Sequence, residues 1–419
     1  MEVEMLLERG DILMEQGRFK DAEKMIKQAL EKEPDNADAL ALMGRCYMNN
    51  KQIDEGIRIV SRALAIDPNN SFFFYLLGFG YYHKDENLIA ETNLNKAIEI
   101  DPLNAEYFGL LSLVLIDQKH FERALDTSNS GLALDPNNIT CLNARSIALN
   151  KLKRIDEAFK TMDSTLAHDP DNEVTHTVVG WNLLERGNHK KALHHFREAL
   201  RIDPDFENAR SGMKEAMKSR ILPYKWLLQY SFWINNKGRK LQAVLPILLY
   251  VAFRILIGIS NAGNTSELTW ILIATYILII VTSWTIGSIA NFILLFHPTG
   301  KYALSAGEKW SAINVVTVMM IGISIMGLSS FTSIADQTDY ADGLFFAGMI
   351  CLSLALPLGN IKYPITAAQG WREWYGVCLA GLGILSVLLF AMNPGMGSAL
   401  FILYGLGFLI YNWTGIISH

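Results

Sequence analysis

The sequence predicts an all-α protein in two parts: a superhelix of six stacked helix-turn-helix units, then a polytopic bundle of six membrane-crossing helices. Three observations carry this. Proline recurs every 34 residues, at Pro34, Pro68, Pro102, Pro136, Pro170 and Pro204. Small residues recur at fixed offsets from it: Ala22, Gly56, Ala90, Ala124, Ala158 and Ala192 lie twelve residues upstream, and Gly10, Gly44, Gly78, Ser112, Ser146 and Gly180 lie 24 upstream. After residue 240 the chain turns into long stretches almost free of charge.

From Pro68 onward each proline sits in an Asp-Pro step after a helical run, as in Ile66-Asp67-Pro68 and Ile202-Asp203-Pro204. Proline removes a backbone donor and disfavours helical geometry in the residue before it, so each one ends a helix and opens a turn. The small residues let two antiparallel helices approach closely. Between them, bulkier residues such as Phe74, Leu77, Tyr81, Leu94 and Ala97 in the third unit supply a buried stripe at helical spacing. One hairpin cannot bury its own apolar face, so stacked copies share a core.

In period, small-residue offsets and terminal proline, residues 3–206 resemble the tetratricopeptide repeat family as six units. Arg9 and Arg145 depart from the family pattern, standing where an aliphatic residue is usual, and Ser112, Ser146 and Gly131 vary the small sites. The resemblance implies a capping helix, for which Glu207 to Lys218 is suited, and a concave surface lined by the first helix of each unit. Carried over residue by residue, it assigns Phe72, Tyr75, Phe79 and Tyr82 to that surface, joined by Leu113, Ile116, Ile147, Trp181 and Leu184. The set is aromatic and aliphatic. It lacks the Lys, Asn and Arg residues with which chaperone-binding members grip a terminal carboxylate, and an apolar groove implies an apolar or amphipathic partner segment.

The two halves differ in charge. Residues 1–220 carry 28 Lys and Arg against 36 Asp and Glu, a balance of −8, while residues 221–419 carry 9 against 6, a balance of +3. An acidic array without a basic stripe argues against nucleic acid as a partner. Cys46, Cys141, Cys351 and Cys378 form no CxxC pair and read as small buried residues. No apolar signal region follows the initial Met-Glu-Val-Glu, so the repeats are expected in the cytoplasm.

The membrane spans are expected at 241–260, 268–296, 311–332, 343–359, 374–392 and 397–415, since a span needs roughly 20 apolar residues. Candidate outer loops lack Lys and Arg but hold Glu267, Asp336, Asp339 and Asp342. Candidate inner loops hold Lys301, Lys309, Lys362 and Arg372, and the approach to the first span holds Lys225, Lys237, Arg239 and Lys240. This asymmetry places both termini on the cytoplasmic side of a membrane, by analogy a bacterial inner membrane.

Residues 221–240 form the linker between repeat domain 1–220 and membrane domain 241–419. Trp226, Tyr230 and Trp233 share one helical face of it, suited to the headgroup level. The inner loops repeat each other at an offset of 61 residues, Lys301–Trp310 and Lys362–Trp371. Each contains a capping box, Ser305 with Glu308 and Thr366 with Gln369, followed by an interfacial Trp310 or Trp371. Polar residues within the spans are few: Arg254, Asn291 and Asn314. Arg254 is expected to snorkel or hydrogen-bond between helices, and the glycines to allow close packing.

No nucleophile elbow, phosphate-binding loop or metal spacing survives inspection; His189, His194 and His195 read as solvated, and no metal or cofactor is expected. The chain is expected to be a non-enzymatic, membrane-anchored adaptor whose repeat groove recruits a protein segment to the bilayer. A transporter, channel or lipid-handling bundle with a regulatory repeat domain is the alternative.

Overall fold

The computed structural model describes residues 2–237, 239–262, 266–334, 338–359 and 370–417, and every regular element among them is an α-helix. Six hairpins come first: α1 (Glu2–Glu15) with α2 (Phe19–Lys32), α3 (Ala37–Asn49) with α4 (Ile53–Ile66), α5 (Ser71–His83) with α6 (Asn87–Ile100), α7 (Ala105–Asp117) with α8 (Phe121–Leu134), α9 (Ile139–Lys151) with α10 (Ile155–His168), and α11 (Glu173–Glu185) with α12 (His189–Ile202). The periodic prolines fall in the connections between hairpins.

Two further 34-residue signals fix the hairpin geometry. Asn36, Asn70, Asn104, Asn138 and Asn172 each accept a backbone N–H two or three residues on, at 2.8–3.1 Å, and so cap the first helix of a hairpin. Within hairpins, Gly17, Lys51, Asp85, Lys119, Lys153 and Gly187 all take positive φ, from 59° to 78°. Each donates its N–H to the carbonyl three residues back, and the next residue donates five back, as Lys51 to Met48 and Gln52 to Tyr47. This is the Schellman closure, in which glycine is the usual left-handed residue. Four of the six positions hold an L-residue where left-handed backbone costs about 1–2 kcal/mol. Lys51→Gly is therefore expected to stabilise the array by roughly 0.5–1 kcal/mol after the entropy of the freer unfolded chain is offset. A lowered unfolding midpoint would contradict this.

The small residues pack as expected. Ala22, Ala90, Ala124, Ala158 and Ala192 are buried, and a Cβ on Gly78 would lie 2.6 Å from Leu94 Cγ. The buried stripe of the third unit is shifted from the expected one. Leu77, Leu94 and Ala97 are buried, but Phe73 and Leu76 take the interior positions while Phe74 and Tyr81 are only half-buried. Arg145 sits without penalty because Asn129 Oδ1 accepts from its Nε at 2.9 Å and Thr161 from its Nη1. Cys46 and Cys141 are buried, donate to the carbonyls of Phe19 and Ala105, and are pushed by burial up to about 11 and about 12. Cys351 and Cys378 correct the expectation of four buried cysteines, being half-buried and exposed on apolar helices.

The chain divides into two compact units, Met1–Asn182 with Glu198–Phe206 and Asn236–Gly238, and Leu183–Arg197 with Glu207–Asn235 and Arg239–His419. The division falls within the sixth hairpin, upstream of residue 220. The second unit contains α13 (Glu207–Lys218), α14 (Leu222–Asn235), α15 (Arg239–Ala262), α16 (Ser266–Leu295), α17 (Gly300–Ala303), α18 (Ala306–Ile334), α19 (Thr338–Gly359), α20 (Trp371–Met392) and α21 (Pro394–Ile417). Helices thus occupy all six expected spans. Among the described residues two of them, Ala306–Phe331 and Glu373–Phe390, are long and apolar enough to cross a membrane. Thr285–Leu295, Gly343–Gly359 and Ala399–Phe408 are apolar but shorter than the roughly 20 residues a span requires.

Within this unit α13 is docked, not free. Met217 packs with Leu294 and Leu304, supported by Leu193, Met213 and Leu295. The expected capping box at the start of α18 forms: Glu308 N donates to Ser305 Oγ at 3.2 Å, and Ser305 N to Glu308 Oε2 at 2.8 Å. Glu308 Oε1 meanwhile accepts from Lys214 Nζ of α13 at 2.7 Å. The second expected box, Thr366 with Gln369, lies outside the described residues. Gly322 and Gly348 bring α18 and α19 together, a Cβ on Gly322 meeting Gly348 O at 3.0 Å. Gly327, Gly381 and Gly405 face open space, contrary to a general packing role.

Candidate functional site: the first-helix face of the repeats

Helix α5 sets four aromatic side chains along one face because residues 72, 75, 79 and 82 recur at helical spacing. Phe72, Tyr75, Phe79 and Tyr82 are all half-buried. Phe72 and Tyr75 stack at 6.1 Å, and Tyr75 stacks on Tyr107 of α7 at 5.2 Å. Tyr107 is itself buried, its hydroxyl 3.2 Å from Ser71 Oγ. Farther along, His83 meets Phe79 edge-on at 4.4 Å and Tyr82 at 5.6 Å. The inner edges of Phe72, Tyr75 and Phe79 pack on the core cluster that includes Phe73 and Leu76, so these rings are anchored while their other edges remain accessible.

Charged groups border this row. Burial raises the Tyr75 and Tyr82 hydroxyls above their ordinary range, and the Tyr82 hydroxyl donates to the Asp117 carboxylate. Burial and then the charge of Asp85 raise the Asp117 carboxyl, and burial lowers the neighbouring His83. In the preceding units Arg45 Nη1 of α3 donates to Asp11 Oδ1 of α1 at 2.7 Å. Arg45 occupies the same offset in α3 as Phe79 does in α5. The expected purely apolar surface is therefore bordered by a partly exposed ion pair that the offset rule, applied to every unit, would have found.

Not all the expected lining residues lie on an accessible face. Leu113 and Trp181 are half-buried, whereas Leu184 is fully buried and Ile116 is 9 % exposed. Leu184 and Ile116 are corrected to interior residues: all three carbonyls at this offset, of Tyr82, Ile116 and Leu184, close the same turn, but the short aliphatic side chains are covered while the longer Tyr82 reaches Asp117 and stays half-buried.

In the second unit Trp226, Tyr230 and Trp233 of α14 are 70, 46 and 45 % exposed along one face, while Tyr224 on the opposite side is buried with Ile286 and Ala290. Gln229 Nε2 donates to Leu184 O at 3.0 Å. Trp371 is exposed and Trp310 half-buried. Of the polar residues in the apolar helices, Arg254 is exposed on α15, and Asn291 and Asn314 are half-buried on α16 and α18. A cavity of about 120 Å³ among α19, α20 and α21 is walled by Phe346, Ile350, Phe390 and Phe401. It is of the size that holds a benzene-like molecule.

Two family models, both described as tetratricopeptide repeat, match residues 13–77 and 175–206. No curated protein matches the chain. Among solved structures, the MamA protein is 22 % identical over 41 % of this chain and 93 % of that one, with a TM-score of 0.33. YrrB, described as a TPR protein with an unusual peptide-binding site, is 21 % identical over 45 % and 97 %, with a TM-score of 0.31. Pseudomonas aeruginosa pilF is 19 % identical over 50 % and 96 %, with a TM-score of 0.40. By the family match and its own 34-residue hairpins, the amino-terminal part of this chain carries tetratricopeptide repeats.

Proposed function

We propose that this protein is a membrane-anchored adaptor, whose repeats capture an apolar or amphipathic segment of a partner protein and hold it at the bilayer. The observation that carries the reading is the row of four half-accessible aromatics on α5, three of them anchored on the core, because fixed rings offer contact area at little entropic cost. The apolar helices of the second unit and the exposed aromatic face of α14 support the anchor, in a six-span bundle with both termini cytoplasmic, as at a bacterial inner membrane. Tethering raises the partner's local concentration near the membrane. No catalytic step is assigned.

The double variant Phe79→Glu/Tyr82→Glu is expected to lose the partner that co-purifies with the detergent-extracted full-length protein, while membrane insertion is unchanged. Each buried anchor ring is worth about 2 kcal/mol or more at an interface, so recovery should fall by two to three orders of magnitude. Equal recovery from both proteins sinks the groove as the recruiting surface.

A further inference from the structure

The second unit carries cations that its carboxylates do not neutralise. Lys214 is paired with Glu308 at 2.7 Å and Lys218 with Glu215 at 3.1 Å, and Glu215 also accepts from the Tyr224 hydroxyl. Among the described residues no carboxylate pairs with Arg220, Lys225 or Lys301. Arg220 follows α13, Lys225 lies in the first turn of α14, and Lys301 stands in α17.

One contact in this group is unfavourable as it stands. His297 Nδ1 accepts from the backbone N–H groups of Thr299 at 3.3 Å and Gly300 at 3.2 Å. Backbone amides can only donate, so the proton of the neutral ring is on Nε2. Arg220 Nη1 lies 3.4 Å from that same Nε2. Two donors therefore face each other, with the ammonium of Lys301 four residues along the chain from His297. Such a set is suited to an anion with several acceptor oxygens lying across it.

The surroundings indicate where that anion comes from. Phe296 and Tyr302, on either side of His297 and Lys301, are each 77 % exposed, and Trp226 and Leu222 are exposed at the start of α14. The Lys301 ammonium lies 4.9 Å from the Tyr302 ring. Exposed aromatics around unpaired cations suit the headgroup level of a bilayer, where rings settle among the lipids and basic side chains meet phosphates. A free phosphate would need the cations but not the aromatic rim.

We propose that Arg220, His297 and Lys301 bind the phosphate of an anionic phospholipid headgroup on the side of the membrane that faces the repeats. The proposal rests on the membrane anchoring put forward above. It is tested on the full-length protein by native mass spectrometry with phosphatidylglycerol and phosphatidylcholine offered in equal amounts. The wild type is expected to retain phosphatidylglycerol preferentially. Arg220→Gln and Lys301→Gln should each reduce the preference about fivefold, and together by more than tenfold. Arg220→Lys/Lys301→Arg should keep most of it, which separates lost charge from lost fold. Equal retention of the two lipids, or a preference untouched in the double Gln variant, overturns the proposal. Displacement of phosphatidylglycerol by millimolar inorganic phosphate also overturns it, by making this a soluble-anion site. Extraction of the wild type from membranes by alkaline carbonate would instead sink the anchoring reading, and the headgroup site with it.

Discussion

Phe73→Ala is expected to cost about 3–5 kcal/mol, the range for removing a fully buried aromatic ring. Phe73 has no exposed surface and belongs to the cluster that joins the first three hairpins, with Leu40, Ala41, Val60 and Ala63 among its members. The cavity left behind cannot collapse cheaply, because helices on both sides are held by close small-residue contacts. A repeat array is stabilised by its units and their nearest-neighbour interfaces, so the loss should be local. Hydrogen exchange on the full-length protein should show faster opening across α3 to α6 and little change in α9 and α10. A loss below about 1 kcal/mol, or an equal acceleration along the whole array, would contradict the assignment of Phe73 as a core residue of a one-dimensional stack.

Gly44→Leu is expected to be destabilising by about 3 kcal/mol, at the upper end of overpacking costs. Even a Cβ at Gly44 would lie 2.4 Å from Val60 Cγ2 and 2.9 Å from Gly56 O, and a Cβ on Gly56 would in turn lie 2.7 Å from Gly44 O. Val60 is fully buried and β-branched, so it has one rotamer and nowhere to move. Gly56 O is backbone of α4 and moves only with its helix. Gly44→Ala would regain about 1 kcal/mol of helix propensity and still lose on balance. Thermal unfolding of the variant against the wild type measures this; an unchanged midpoint would mean that α3 and α4 do not cross as closely as described.

The hairpin pattern was legible because period and small-residue offsets both report the same backbone approach, and Gly44 against Gly56 is that approach seen directly. The register of single aromatics was not. Phe72-Phe73-Phe74-Tyr75 contains no polar residue to break the run, so periodicity alone cannot say that Phe73 faces inward and Phe74 does not. The left-handed turns were hidden for a different reason: Lys51, Asp85, Lys119 and Lys153 carry no glycine signal, and only the backbone shows them to be equivalent to Gly17 and Gly187. At the candidate site, the α5 aromatics could be read from their spacing. Leu184 and Ile116 could not, since they share the offset and the closing turn of the half-buried Tyr82, and the offset alone does not say how far a side chain is covered. In the apolar helices, uniform hydropathy removes the phase information that would say which side meets a neighbour. The donor pair of Arg220 and His297 depends on a chain crossing that spans 77 residues, beyond the reach of any local pattern.

Glu308 divides its two carboxylate oxygens between different tasks, one closing the first turn of α18 and the other holding the last helix of the repeat-side chain through Lys214. A tug on α13 is thereby delivered directly to the entry point of the 29-residue apolar helix α18. Removing the carboxylate severs the strut and frays the turn together, whereas removing Lys214 severs the strut alone. Mechanical load and helix initiation thus share a single side chain, which makes this corner a stiff joint.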